Sequence, residues 1–491
     1  MRNLKNKIEL PLFSSYEFNS NFYDELFSKN KKTREIYKRL FKLFSQYSVN
    51  EFNALNNRAK ESFFNNGITF QVYNSNQVSE KIFPFDLFPR IINNKEWSTI
   101  EKGVLQRSKA LNHFLWDVYH EQKIIKQGIV PLDLISSSEN FLPQMVNLDP
   151  PEGIYNHVSG TDLIKHSDGN YYVLEDNIRC PSGVSYVVGN RAAVKHALFG
   201  VFNEYNAHTV VDYGSNLLDI MESVKPKGVD NPVCVVITPG VYNSAYYEHS
   251  FLAKQMGIEL VEGQDLFVEN DFVYKQTIYG PEKVDVIYRR IDDLFIDPLE
   301  FRKDSVLGVP GLFSVYKKGN VCLVNAPGTG VADDKAVYTY MPEIIKYYLD
   351  EDPILNNVQT YHCSRKNELS YVLDNIDKLV VKPVDESGGY GISIGNKLTK
   401  EEIQKVKETI MENPRKYIAQ PIMALSTHPT YIEETQSFEP RHVDLRTFTL
   451  LGKDKDFVLK GGLSRVALSK GNLVVNSSQG GGSKDTWVLK K

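Results

Sequence analysis

Three glycines in four positions, Gly388-Gly389-Tyr390-Gly391, follow Ser387 and an apolar segment, Leu379 to Val381, that delivers Lys382 beside them. A compact ammonium before a loop with so little side-chain bulk suits phosphate oxygens, because the loop's backbone N–H groups can close on an anion without Cβ clashes. The order excludes two familiar arrangements. The chain has no GxxxxGK[ST] loop, and a protein kinase places its lysine after the glycines and adds HRD and DFG segments, which are missing here.

Far upstream, Gly160 to Ile164, then Asp168-Gly169, then Tyr171 to Leu174 read as a β-hairpin with a short polar turn. It brings Asp162 and the Glu175-Asp176-Asn177 segment together. Glu175 and Asn177 lie two apart, so on a strand they share a side and offer hard oxygen donors to a cation such as magnesium. Taken without the other motifs, the same acids equally describe a solvated hairpin.

Together these segments resemble the ATP-grasp family, in the circularly permuted branch whose distant relatives include glutathionylspermidine-synthase-type ligases. Asp333-Asp334-Lys335 is similar to the linker lysine. Lys382 with Ser387 to Gly391 is similar to the second lysine and its loop, and Ala419-Gln420-Pro421-Ile422 to the adenine hinge. Asp444-Leu445-Arg446 resembles the Asp-x-Arg strand, and Gly461 to Arg465, Asn476 and Gly480 to Gly482 resemble the run after it. The segment that usually closes the series, Asp162 and Glu175-x-Asn177, comes first, which a circular permutation explains. Gln420-Pro421 departs from the acidic hinge of many relatives.

The resemblance implies an α/β (α+β) chain with a circularly permuted ATP-grasp fold. Its expected parts are a mainly helical region at 1–150, a permuted piece of the larger nucleotide lobe with the metal ligands at 151–200, and an open α/β substrate domain at 201–330. The smaller lobe with both lysines follows at 331–420, then the rest of the larger lobe at 421–491. It also implies ATP and Mg²⁺ as cofactors. Lys335, Lys382, Ser387, Gly388, Gly389 and Gly391 would hold phosphates, and Gln420 and Ile422 would meet adenine. Asp162, Glu175 and Asn177 would bind metal, while Arg465, Arg179 and Arg446 would steady charge on the transferring phosphoryl group. For Arg446 a structural ion pair competes with that role.

From Val233 onward, strand, glycine-containing turn and helix alternate, as in open α/β sheets that bind ligands at strand C-terminal ends. Tyr242 and Asn243 follow one such strand. Arg289, Arg290 and Asp292 follow another, where arginine forks can clamp a carboxylate or simply form surface salt bridges. His157, just before the hairpin, is a further substrate candidate, or a satisfied core histidine. In the first 150 residues Thr33 to Tyr47 and Trp97 to Lys123 carry helical periodicity, with Phe114, Leu115, Val118 and Tyr119 as a core stripe.

Composition fits a globular enzyme: 491 residues, 42% hydrophobic, 24% charged, net charge -4. Such a balance gives no reason to expect nucleic acid, and no apolar stretch is long enough for a membrane span. The opening residues lack the apolar core of a secretory signal, so a cytoplasmic location is expected. Cys180, Cys234, Cys322 and Cys363 have no CxxC spacing; Cys234 and Cys322 read as reduced core residues. No HExxH zinc motif occurs.

The expected activity is ATP-dependent carboxylate–amine ligation through an acyl phosphate, on an amino acid, short peptide or polyamine conjugate. A non-catalytic nucleotide-binding scaffold with the same fold is the alternative, and a phosphotransferase a third. A homo-oligomer or partner enzyme is left open.

Overall fold

The computed structural model describes residues 10–74, 77–385, 391–472, 475 and 481–490, with the side chains of 70–81 left aside. Its central element is a five-stranded sheet in the order Asn356–Asn357, Tyr171–Asn177, Val158–Lys165, Leu445–Leu451, Asp456–Val458. Val158–Lys165 pairs antiparallel with Tyr171–Asn177 on one side and with Leu445–Leu451 on the other. The early hairpin is thereby completed by a strand from the last tenth of the chain, which is what a permuted order of motifs requires.

A second sheet lies beside it, in the order Tyr361–His362, Tyr417–Pro421, Leu379–Pro383, Ser393–Ile394, all antiparallel. It shares a small core, including Val372, Val381, Ile410 and Ala419, with the helices Lys366–Asp374 and Lys400–Glu412. Thr399 and Glu402 form a reciprocal capping box that satisfies N–H groups at the start of the second helix.

A third sheet is wholly parallel, ordered Cys322–Val324, Val286–Arg289, Cys234–Ile237, Glu259–Val261. Helix Tyr246–Met256 makes one crossover and stops at Gly257, whose φ of 70° is the left-handed conformation that ends helices. Cys234 and Cys322 are buried in this sheet and all four cysteines are free thiols.

The N-terminal region holds strands as well as helices. Helices Lys38–Phe44, Val49–Asn65 and Asn94–Tyr119 are present, but so are a hairpin, Thr69–Asn74 with Gln77–Ile82, and a strand, Phe85–Ile92. That strand runs parallel to Gly482–Val488, which also pairs with Ser464–Val466. Seven of its eight residues are buried, so the period-two alternation that marks a half-exposed strand never appears in its sequence. The expected stripe Phe114, Leu115, Val118 and Tyr119 is fully buried. Among the described residues no helix is long and apolar enough to cross a membrane.

Two buried ion pairs fasten the strand Gly482–Val488. Lys484 Nζ meets Asp86 and donates to Pro429 O at 2.7 Å, and Asp485 takes the Arg191 guanidinium at 2.8 Å and Trp487 Nε1 at 2.7 Å. Lys484→Met keeps the stem's volume but strands the Asp86 carboxylate. It is expected to lower the unfolding free energy by about 3–5 kcal/mol, read as a drop in urea midpoint at neutral pH.

Candidate functional site

The register of the hairpin sets the chemistry. Asp162 lies directly opposite Glu175, and Gly160 opposite Asn177. Directly opposed residues share a face, so Asp162, Glu175 and Asn177 are on one side of the sheet. Asp176 points to the other, where Arg107 Nε donates to it at 3.0 Å. Asn177 donates its amide N–H to Gly160 O at 3.2 Å, which leaves its amide oxygen turned away as an acceptor.

Two lysines from the neighbouring elements converge on these acids. Lys335, in the short helix Lys335–Tyr338 capped by the Asp334 side chain, brings Nζ to 3.7 Å from Glu175 Oε2. Lys382 donates to Gln420 Oε1 at 2.6 Å, and Gln420 is held in that orientation because its amide nitrogen donates to Thr360 Oγ1 at 2.9 Å. Burial pulls the Lys382 ammonium below its ordinary pKa, Glu175 works the other way, and Lys335 adds to the depression. A desolvated ammonium hydrogen-bonded to a neutral amide is short of negative charge, and phosphate oxygens would supply it.

The arginines form a knot behind the acids. Arg446, the cross-strand partner of Asp162, donates to it from Nε at 2.6 Å and Nη2 at 2.8 Å. Arg465 adds a bond from Nη2 at 2.8 Å and holds Asp444 through Nε at 2.9 Å. Burial favours protonation of Asp162, but Arg446 and Arg465 overcome it and hold the carboxyl well below the usual range. Both oxygens of Asp162 are thus engaged by guanidinium groups. Behind the knot, Arg90 donates to Asp444 O at 2.8 Å and forms a two-pronged pair with Glu25 at 2.6 and 2.9 Å.

On the far side of Asn177 opens a cavity of about 340 Å³, reached by Arg179, Asn243, Arg290, Asp292 and Asp333. Arg179 spans it, donating from Nη1 to Asp292 at 3.0 Å with Nε 3.6 Å from Asp333. Phe295 and Leu307 give it an apolar wall. Gly330 makes room for this arginine, since a Cβ there would come within 3.3 Å of Arg179 Cδ and 2.9 Å of Asn140 Cβ.

Several expected residues sit elsewhere. Arg289 is 1% exposed and spends its guanidinium on Asn325 O, Ile291 O, Ala326 O and Asp293, so it braces the parallel sheet behind the cavity and does not reach in. His157 is completely buried and absent from the cavity lining; burial brings its pKa down to about 3, leaving a neutral core imidazole. Tyr242 is 82% exposed and lies outside the cavity lining, unlike its neighbour Asn243. Gln420 turns its side-chain amide toward Lys382 and Thr360, and the Ile422 N–H is bonded to Lys378 O at 3.1 Å. Ser387, Gly388, Gly389, Asn476 and Gly480 lie outside the described residues. Gly391 is described: at φ 68° its backbone favours glycine, and a Cβ would fall 2.7 Å from Pro383 Cγ. Asp333 and Thr360 were missed as site residues. Asp333 was visible beside the linker lysine, whereas nothing in the sequence marks Thr360. Among the described residues no three His, Cys, Asp or Glu side chains cluster as a metal set, so a cation here would rely on a mixed carboxylate and amide set.

Residues 89–467 match the family described as circularly permuted ATP-grasp type 2. The chain belongs to that family. An uncharacterized protein of Synechocystis sp. is 51% identical over 470 residues, covering 96% of this chain and 97% of its own. A Mycobacterium tuberculosis protein, also uncharacterized, is 49% identical over 467 residues, 95% of this chain and 84% of its own. A Frankia alni protein named "Putative glutamate--cysteine ligase 2-3" is 37% identical over 470 residues, and the chain spans 54% of that longer protein. Among solved structures, the apo form of a glutathione synthetase-like effector from Globodera pallida superimposes with a TM-score of 0.59, covering 90% of this chain and 98% of the effector. At 11% identity that likeness concerns the fold alone. The match to the permuted ATP-grasp family begins one residue before Arg90, so Glu25 supports the arginine knot from outside the matched segment.

The buried imidazole gives this permuted ATP-grasp protein an acid-sensitive core. His157 takes up its proton near the ordinary value of 6.5 once unfolded but only near 3 when folded. The unfolded state therefore binds more protons between these values, and stability falls as pH drops through that window, by about 1.4 kcal/mol per pH unit at most. Urea midpoints measured from pH 7 to 4 are expected to fall less steeply for His157→Gln than for the wild type.

Proposed function

We propose that the chain is an ATP-dependent carboxylate–amine ligase that works through an acyl phosphate and releases ADP and phosphate. The observation that carries this reading is the placement of the Asn177–Arg179 segment. Asn177 and Arg179 line a cavity of about 340 Å³, while Glu175, two residues earlier, meets Lys335. Phosphate chemistry and a second-substrate chamber would thus share one wall.

In this reading Lys335 and Lys382 hold the α and β phosphates, and the loop ending at Gly391 covers the β and γ phosphates. Glu175 Oε and the Asn177 amide oxygen are hard donors suited to Mg²⁺, which would neutralise charge on the phosphates when bound. Asp162, directly opposite Glu175, would be a third oxygen donor to that cation. Arg446 and Arg465 would steady charge on the transferring phosphoryl group, and Arg179 on the acyl phosphate. No protein nucleophile is needed; positioning and charge neutralisation do the work. Arg290 and Asn243 would orient the carboxylate substrate within the cavity.

Glutamate with cysteine is one pair to test first, since the name of the Frankia relative points to amide formation between amino acids, though the chain spans only 54% of that protein. ADP release with Mg-ATP would be followed against pooled amino acids, short peptides and polyamines, with mass spectrometry of the products. A substrate-dependent ADP signal with an amide-mass product is expected, reduced by at least about 10²-fold in Glu175→Ala and in Lys382→Ala, with melting temperatures little changed. ATP binding without turnover in any pool would favour a scaffold instead.

A further inference from the structure

Amide formation poses a proton problem. An alkyl amine is an ammonium ion at neutral pH and must lose a proton before its lone pair can attack a carbonyl carbon. Some group in the cavity has to accept that proton, and the cavity lining holds few candidates. Arg179 and Arg290 are permanently protonated, and no histidine lines the cavity. Burial pushes the Cys180 thiol up, so it stays protonated as well. Asp292, at the more open rim with a side chain 40% exposed, already accepts from Arg179 at 3.0 Å on one oxygen and from Leu294 N at 3.4 Å on the other.

Asp333 differs. It ends the short helix Gly330–Asp333, and its Oδ1 accepts the Ile178 N–H at 2.7 Å, which fixes the carboxylate. Its Oδ2 lies 3.6 Å from Arg179 Nε, beyond hydrogen-bond length, and so keeps its acceptor capacity in the cavity. The chain then runs two residues on to Lys335, whose ammonium reaches Glu175. A substrate nitrogen resting on Asp333 would therefore sit at the end of the cavity nearest the phosphate-binding groups. A second sign that the cavity awaits a polar ligand is Arg290, a lining side chain only 5% exposed whose Nε has no hydrogen-bond partner.

We propose that Asp333 binds the ammonium group of the amine substrate and accepts its proton, acting as a catalytic base. This rests on the ligase reading above. Burial raises the Asp333 carboxyl, with Arg179 and Lys335 opposing and Glu175 adding to the rise, a direction that makes it a better base. The step balances as follows. R–NH₃⁺ gives one proton to the Asp333 carboxylate; the neutral amine adds to the acyl phosphate carbonyl, the C–N bond forms and the C–O bond to phosphate breaks. The second amine proton leaves with the phosphate as HPO₄²⁻, and Asp333 returns its proton to solvent.

The test compares two nucleophiles with one carboxylate. Hydroxylamine is already neutral at neutral pH and traps an acyl phosphate as a hydroxamate without help from a base. For Asp333→Asn, amide formation with the alkyl amine is expected to fall by about 10²-fold with a higher KM for the amine, while hydroxamate formation stays within about threefold of wild type. Asp333→Glu should recover part of the amide rate, which shows that the site is folded and that the carboxylate is what matters. The Asn variant's residual amide rate should climb with pH toward the amine pKa after the wild-type rate has levelled. Equal losses with both nucleophiles, or no loss with either, would overturn the role of Asp333. Absence of hydroxamate and ADP from the wild type with every carboxylate would overturn the ligase reading, and the base role with it.

Discussion

The grip of Arg446 and Arg465 on Asp162 is the interaction on which the site depends. It joins residues 284 and 303 positions apart and does so at a strand pairing, so the same contact closes the central sheet and gathers the site. Charges this deeply buried are tolerated only when each has its partner; removing one leaves the others uncompensated. Asp162, Asp444, Arg446 and Arg465 therefore act as a unit, with Glu25 and Arg90 bracing it from beneath. Reversed motif order costs the fold nothing, because the pairing needs adjacency in space and not in sequence.

Charge in the site is arranged as an unfinished balance. Lys335, Lys382, Arg179, Arg446 and Arg465 face Asp162, Glu175, Asp292 and Asp333 across a few ångströms. Two of these contacts are looser than a hydrogen bond, at 3.7 Å between Lys335 and Glu175 and 3.6 Å between Arg179 and Asp333. Groups held near one another without being locked can exchange partners when a polyanion and a cation arrive together, at little reorganisation cost.

What was legible in the sequence was whatever depends on local geometry. Two-residue spacing put Glu175 and Asn177 on one face and Asp176 on the other, and the strand bearing Lys382 was apparent from its apolar run. Side-chain direction after a strand end was not legible. Arg289 and Arg290 are adjacent, yet one turns into the sheet's own support and the other reaches the cavity, a choice made by packing against the distant carbonyls of Asn325 and Ala326. Gln420 shows the same limit: the direction of its amide, which accepts from Lys382 and donates to Thr360, depends on a residue sixty positions away. The strand Phe85–Ile92 was hidden because burial on both faces removes the alternation that would reveal it.

The pairing of Phe85–Ile92 with Gly482–Val488 also governs when the molecule can finish folding. Asp86 and its partner Lys484 are 398 residues apart, so the strand Phe85–Ile92 must wait for a partner synthesised much later. The arginine knot waits similarly for Arg446 and Arg465. Contacts of such long range make closure slow and leave apolar strand edges open meanwhile. Helices such as Asn94–Tyr119 can form early and shield part of that surface, but assembly of the site is tied to the later strands Leu445–Leu451 and Ser464–Val466. A chain cut before Gly482–Val488 would therefore leave the Phe85–Ile92 edge unpaired and exposed to aggregation.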